Sequence, residues 1–307
     1  MSGEAARKRD FLRVTDLSRE ELLSLLARAA EWKRLGRDGP RPLAGKAVGL
    51  VFEKASTRTR VSFEVAALQL GGHALMLSTR DTQLGRGEPI RDTARVLSRY
   101  LDALVVRTFE HATVEEMARH ASAPVVNALT DASHPCQLLA DLLTVAERFG
   151  ADALVRGELR VAWVGDGNNV ANSWLEACAA LGFPLRLACP PGYDPDARLL
   201  ARCAGRARLV RAPREAAEGA LVENTDVWAS MGQEAQAGAR ARAFQGFAVD
   251  RLLLAAADPR AIVLHCLPAH RGEEIAEEVL EGPQSAVFDE AENRLHAQKA
   301  LLELLLG

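Results

Sequence analysis

The chain has 307 residues, 48% hydrophobic and 26% charged, which is ordinary globular composition and enough for two domains. Its formal net charge of −3 supplies no basic face for nucleic acid or an anionic membrane, and no apolar stretch approaches the roughly 20 residues that span a bilayer. The five cysteines (Cys136, Cys178, Cys189, Cys203, Cys266) are odd in number and lack metal-ligand spacing. The opening MSGEAARKRDFLRV has no apolar signal core, so a reduced, cytoplasmic protein is expected.

Asp16–Arg34 reads as a helix, with an Asp/Ser start followed by Leu22, Leu23, Leu25 and Leu26. Ala47–Phe52 (AVGLVF) is a short apolar run of the kind that fills a parallel sheet. Beyond it, Ser56-Thr57-Arg58-Thr59-Arg60 leads into a helix with Val61, Val65, Leu68 and Leu70 toward one face, closed by Gly71-Gly72. Ser56 or Thr57 would cap that helix. A hydroxyl at a helix start is often just a cap, and surface arginines are usually solvated. Here the first turn carries arginines where the helix dipole favours acids, which points to an external anion.

His73–Leu77 is a further apolar run, and Ser78–Glu88 (STRDTQLGRGE) is too charged and Gly-rich for core. Helices are predicted over Ile90–Tyr100, Val114–His120 and Pro135–Phe149, with strands over Ala103–Arg107 and Val125–Ala128. The rhythm restarts near residue 150. Arg160–Val164 is a strand, 165–169 (GDGNN) a turn, Val170–Leu181 a helix and Leu185–Cys189 a strand. Leu199–Gly205 reads as a helix, Asp226-Val227-Trp228 as the end of a short strand, and Ile262–Cys266 as a strand. Gly272–Leu280 reads as a helix, Ser285–Phe288 as strand-like, and a C-terminal helix runs from Glu290. Alternating strands and helices with a restart mean an α/β chain of two domains, each a mainly parallel sheet flanked by helices.

Polar residues recur just after strands, where open α/β sheets build their sites. Arg107 ends ALVVR, and His134 and Gln137 flank Pro135. Asn168 and Asn169 follow RVAWVGDG, Asp226, Ser230 and Met231 lie in DVWASM, and Cys266 and Leu267 follow IVLH. Any one has a dull explanation as a cap or a small core residue. Gly165-x-Gly167 alone is a weak dinucleotide signal. Together they make an Arg/Thr-rich set in the first half and an Asn/Asp/Ser/Cys set in the second.

This pattern resembles the carbamoyltransferase family. Ser56-Thr57-Arg58-Thr59-Arg60 and His134-Pro135-Cys136-Gln137 look like the motifs common to its aspartate and ornithine branches. The stretches DVWASMG (226–232), HCLPA (265–269) and FDEAENRLHAQKALL (288–302) look like the ornithine branch in particular. The resemblance covers essentially the whole chain. It implies a carbamoyl phosphate-binding domain over residues 1–148, an ornithine-binding domain over 149–289, and a C-terminal helix, 290–307, packing back on the first. It also implies an active site in the cleft between the domains, no metal or organic cofactor, and a homo-oligomer built on trimers.

The implied reaction moves the carbamoyl group of carbamoyl phosphate to the side-chain amine of L-ornithine, giving L-citrulline and phosphate. By resemblance, carbamoyl phosphate is bound by Ser56, Thr57, Arg58, Thr59, Gln83, Arg107, His134, Gln137, Cys266, Leu267 and Arg294, with Gln83 reaching a neighbouring subunit's site. The implied catalytic residues are Arg107, His134 and Cys266. Asn169, Asp226, Ser230 and Met231 would bind ornithine. An acid and a thiol in the acceptor motif fit an amine, whereas an aspartate acceptor needs cations for its second carboxylate. A relative using another amine acceptor, such as acetylornithine or putrescine, or a non-catalytic phosphate-ligand sensor, is the alternative.

Overall fold

The structure is a computed structural model and describes residues 8–78, 87–230, 232 and 234–307. Gln83 and Met231 therefore lie outside the described residues. The chain divides into two compact units, Met1–Cys136 with Arg294–Gly307, and Gln137–Asn293.

The first unit begins with α1 (Arg19–Leu35), whose N-cap Ser18 accepts from Glu21 N while the Glu21 carboxylate accepts from Ser18 N. Its sheet holds β1 (Ala47–Phe52), β2 (His73–Ser78), β3 (Ala103–Arg107) and β4 (Val125–Leu129), all parallel in the order β2-β1-β3-β4. The crossovers contain α2 (Thr57–Gln69), α3 (Ile90–Leu97) and α4 (His111–His120). Central β1 and β3 are apolar and closed to solvent, as their unbroken hydrophobic runs require. Edge strand β2 leaves alternate residues exposed. Phe52 pairs with Arg107, so the Ser56–Arg60 turn and Arg107 emerge at the same end of the sheet.

Helix α5 (Pro135–Phe149) starts at a proline, whose missing N–H costs nothing there, and the boundary between the units falls in its first turn. The second unit carries β5 (Val161–Val164), α6 (Asn169–Leu181), β6 (Leu185–Ala188), α7 (Ala197–Arg202), β7 (Ala207–Val210), α8 (Pro213–Ala217) and β8 (Val222–Thr225). It continues with α9 (Ala237–Ala243), α10 (Arg251–Leu254), β9 (Ile262–His265), α11 (Glu277–Leu280) and α12 (Val287–Leu306). The parallel order is β7-β6-β5-β8-β9. The later turns of α12 belong to the first unit. There Glu303 accepts two bonds from Arg28, each 2.7 Å, and one from Trp32 Nε1 at 2.8 Å.

Three local expectations differ from the structure. Strand β8 stops at Thr225, because its ladder partners Val164 and His265 are the last of their strands, and Asp226 is thereby released from pairing. The helix expected over 272–280 shrinks to α11. Glu274 accepts from His270 N at 2.6 Å, and this side-chain bond holds 270–274 in a turn. Ser285 makes only an isolated bridge to Val263 before α12 begins at Val287. The short β7, α8, α9 and α10 went unread, being too brief to show a period.

Candidate active site

In the first unit the motif expected to hold an anion is assembled around Thr59. Ser56 caps α2, accepting from Thr59 N at 3.2 Å, and the first turn contains no acidic residue. Thr57 is exposed and Arg58 half-buried, while Thr59 is fully buried. Arg60 is spent elsewhere, on a surface pair with Glu64 at 2.9 Å. Arg107 Nη1 and Arg294 Nη2 both donate to Thr59 Oγ1, at 3.3 and 2.6 Å. A hydroxyl has two lone pairs and one proton, so two donors on the oxygen leave its O–H to donate outward. A cavity of about 940 Å³ lies beside the start of α2, with Ser56, Thr57, Arg60 and Met76 in its wall.

His134 completes the set. Burial, then the charges of Arg294, Arg107 and Lys54, hold its pKa well below the ordinary histidine value. The imidazole is therefore neutral, able to offer one N–H without adding a charge. No sequence motif singles out Lys54, which stands two residues past the end of β1. It is buried, paired with Asp131, and lies 4.1 Å from the centre of the Phe109 ring. Two buried guanidinium groups thus meet the Thr59 hydroxyl, and Lys54 adds a third buried cation whose charge reaches neutral His134, an environment suited to a multiply charged anion.

In the second unit the register brings together Asp226 and Cys266, two of the residues expected to meet the acceptor. Thr225 pairs with His265, so the next residues, Asp226 and Cys266, leave adjacent strands side by side. Cys266 Sγ donates to Asp226 Oδ1 at 3.1 Å, and Asn168 Nδ2 donates to Asp226 Oδ2 at 2.8 Å. Burial, then the Asp226 carboxylate, raises the Cys266 pKa well above the thiol range, so the sulfur stays protonated. Asn168 also caps α6, accepting from Val170 N and Ala171 N. Asn169 is the first residue of that helix, and Ser230 is half-buried on the segment after β8. The orienting contact of Asn168 on Asp226 was not foreseen.

Leu267 adopts φ 57°, a left-handed value unfavourable for a branched side chain. It is held there by its N–H donating to His265 Nδ1 at 2.9 Å, while His265 Nε2 donates to the buried Glu274 at 3.0 Å. Asp226, His265 and Cys266 offer three ligand atoms within 4.8 Å of one another, as metal sites do, but both His265 nitrogens already have these partners. Gly167 serves packing: a Cβ there would fall on the Asp194–Pro195 backbone. Arg240, also unforeseen, bonds Asp166 Oδ2 and the Trp228 carbonyl, both at 2.7 Å, anchoring the segment that carries Ser230.

Gln137 lies in the first turn of α5, fully enclosed. Its Nε2 donates to Asp141 Oδ1 at 2.8 Å and to Glu290 Oε1 at 2.6 Å. Glu290 Oε2 in turn accepts from His265 N at 2.8 Å.

Two family models match successive parts of the chain. Residues 9–147 match the carbamoyl-P binding domain of aspartate/ornithine carbamoyltransferase, and residues 157–305 match its Asp/Orn binding domain. The chain is 56% identical over 300 residues to the ornithine carbamoyltransferase of Halorhodospira halophila, covering 97% of this chain and 99% of that one. It is 55% identical to the anabolic ornithine carbamoyltransferase of Pseudomonas aeruginosa, with 97% of each covered. The solved structure of the Pyrococcus furiosus ornithine carbamoyltransferase superimposes with a TM-score of 0.92 at 47% identity, covering 98% of this chain and 97% of that one.

Proposed function

The chain belongs to the aspartate/ornithine carbamoyltransferase family, and from that premise we propose how its residues divide the reaction. It transfers the carbamoyl group of carbamoyl phosphate to the side-chain amine of L-ornithine, releasing L-citrulline and phosphate, a step of arginine metabolism. Ser56, Thr57, Arg58 and Thr59 bind the phosphate through the first-turn N–H groups of α2, the hydroxyls and a guanidinium. Gln83 contributes from a neighbouring subunit, a role carried by resemblance alone.

As the amine adds to the carbonyl carbon, the carbonyl oxygen gains charge. The Thr59 hydroxyl, Arg107 and neutral His134 are the donors that meet it, with Arg294 polarising Thr59. The observation that carries this reading is the convergence of Arg107 and Arg294 on Thr59 Oγ1. Phosphate then leaves and can take the amine's proton, so no cofactor is required. The Gln137 amide oxygen and the Leu267 carbonyl accept from the carbamoyl NH₂.

The acceptor residues suit a diamine. Asp226 pairs with the α-ammonium, and Asn169, Ser230 and Met231 hold the amino-acid end. Cys266, a neutral thiol, faces the side-chain amine. That amine must lose its proton to attack, and its free pKa is lysine-like, roughly 10. A neutral thiol and nearby arginines favour the uncharged form, whereas a thiolate would oppose it.

We also propose a cytoplasmic homotrimer. All five cysteines are free thiols, and among the described residues no helix is long and apolar enough to cross a membrane. Exposed Val61 and Leu68 on α2 and Leu75 on edge strand β2 offer an apolar surface for a second copy. An acceptor screen with carbamoyl phosphate against ornithine, aspartate, putrescine and acetylornithine tests the substrate assignment. Citrulline formation with ornithine alone is expected, and preference for any other acceptor would overturn it. Light scattering at three times the chain mass tests the assembly.

A further inference from the structure

Gln137 is enclosed, and its amide has been given a fixed direction. Its Nε2 has two protons, and two carboxylates take them: Asp141 Oδ1 at 2.8 Å and Glu290 Oε1 at 2.6 Å. The opposite orientation would point the amide oxygen at both acids, acceptor against acceptor, so the flip is closed by electrostatics. With both N–H bonds spent, Oε1 is left buried and without a donor among the described residues. A buried carbonyl oxygen held without a donor is costly unless a ligand supplies one.

Glu290 does more than hold the amide. Its second oxygen accepts the backbone N–H of His265 at 2.8 Å, at the point where β9 ends and Cys266-Leu267 begins. One carboxylate therefore sets both the Gln137 amide and the strand end from which the Leu267 carbonyl projects. Both bonds use an acceptor oxygen of the same side chain, and a carboxylate accepts on both oxygens whereas a carboxamide accepts on one only.

We infer that Asp141 and Glu290 are positioning residues that lock Gln137 with its oxygen toward the carbamoyl nitrogen, making the site read the NH₂ of carbamoyl phosphate rather than the acyl phosphate alone. The inference rests on the assignment of Gln137 to that NH₂. It predicts discrimination against an acyl phosphate of the same shape that lacks the N–H. Acetyl phosphate, with a methyl group in place of the amine, strands the Gln137 oxygen and turns a hydrogen bond into a contact with carbon.

The test is the ratio of dissociation constants for acetyl phosphate and carbamoyl phosphate, measured by calorimetry on the full-length protein. Inorganic phosphate is the control for an intact anion site. The native protein should favour carbamoyl phosphate by about ten-fold or more. Gln137→Met, which keeps the length and removes the amide, should cut that ratio by about ten-fold. Glu290→Gln and Asp141→Asn should each cut it about three- to ten-fold while leaving phosphate affinity unchanged, because the amide can then turn over. Glu290→Asp, which keeps the charge, should restore at least part of the ratio.

If Gln137→Met leaves the ratio intact, the assignment of Gln137 itself is wrong. If Gln137→Met collapses it but the carboxamide variants do not, the assignment stands and the positioning role of the two acids is overturned. The two acids are tested separately, so a preserved ratio in whichever carboxamide variant folds is enough to reject the inference.

Discussion

Arg294 stands 235 positions from Thr59 in the chain, yet its Nη2 donates to the Thr59 hydroxyl at 2.6 Å. With Arg107 on the same oxygen, the Thr59 proton is committed outward. Thr59→Val keeps the shape and deletes that proton. It should lower kcat by about 10²–10³, the usual cost of one donor to a developing oxyanion. Arg294→Met should produce a smaller loss, because it removes polarisation and leaves the hydroxyl. Steady-state rates decide this, and a Thr59→Val enzyme with native kcat would remove Thr59 from the chemistry.

The pH profile should carry no signature of His134. Its pKa is depressed in the folded chain, first by burial and then by the arginines, so it is neutral throughout the neutral range. The stability it contributes is present above the unfolded value near 6.5 and is lost as pH falls below that value. Carbamoyl phosphate affinity should therefore show no His134 titration between pH 6.5 and 9. Over that window kcat/KM for ornithine should climb as the amine sheds its proton. A flat ornithine profile, with chemistry shown to be rate-limiting, would contradict attack by the neutral amine.

Arg240→Met should damage the ornithine half of the reaction. Arg240 and Asp166 form a buried pair at 2.7 Å, and the same guanidinium nitrogen holds the Trp228 carbonyl. Burial pushes the Asp166 pKa up, and the pairing with Arg240 opposes that rise. Removing one partner leaves a stranded acid, a loss of about 3–5 kcal/mol in stability. Below the melting transition, KM for ornithine should rise several-fold while carbamoyl phosphate affinity stays native. Equal loss of both would show that Arg240 supports the unit as a whole.

Glu223 is a carboxyl group buried on β8 between Ala162 and Val263, with no hydrogen-bond partner for either oxygen among the described residues. Burial raises its pKa well above the carboxylate value. The sign follows: below the unfolded pKa of about 4.5 the group costs no ionisation energy, and its penalty grows as pH rises toward the folded value. Glu223→Met should therefore raise stability by about 1–3 kcal/mol near pH 7.5, with the gain shrinking toward pH 4. Denaturant unfolding at the two pH values measures it. A gain independent of pH would mean that packing, not ionisation, sets the effect.

Much of the architecture was legible because its signals are local. The unbroken apolar runs of β1 and β3 can only be strands closed on both faces, and Pro135 marks the start of α5. A hydroxyl cap on α2, Ser56 or Thr57, follows from the chemistry of an oxygen next to orphan N–H groups, and the structure gives the cap to Ser56. Short elements such as β7 and α9 span only about two periods, too few to reveal them. The end of β8 is set by where its neighbours stop pairing, and no feature of Asp226-Val227-Trp228 encodes that.

The candidate site divides along the same line. The motifs established which residue types were present: hydroxyls and arginines for an anion, an acid and a thiol for an amine. Their identity rests on side-chain chemistry, which a sequence states directly. Only the tertiary structure decided which of them meet. It joined Arg294 to Thr59, added Lys54 to the cations near His134, placed Cys266 beside Asp226 through the Thr225–His265 register, and fastened Gln137 between Asp141 and Glu290. These encounters come from strand register and helix packing over long sequence separations. The protonation of Cys266 and His134 follows from burial and nearby charge, properties that a residue acquires only when the rest of the chain has closed around it.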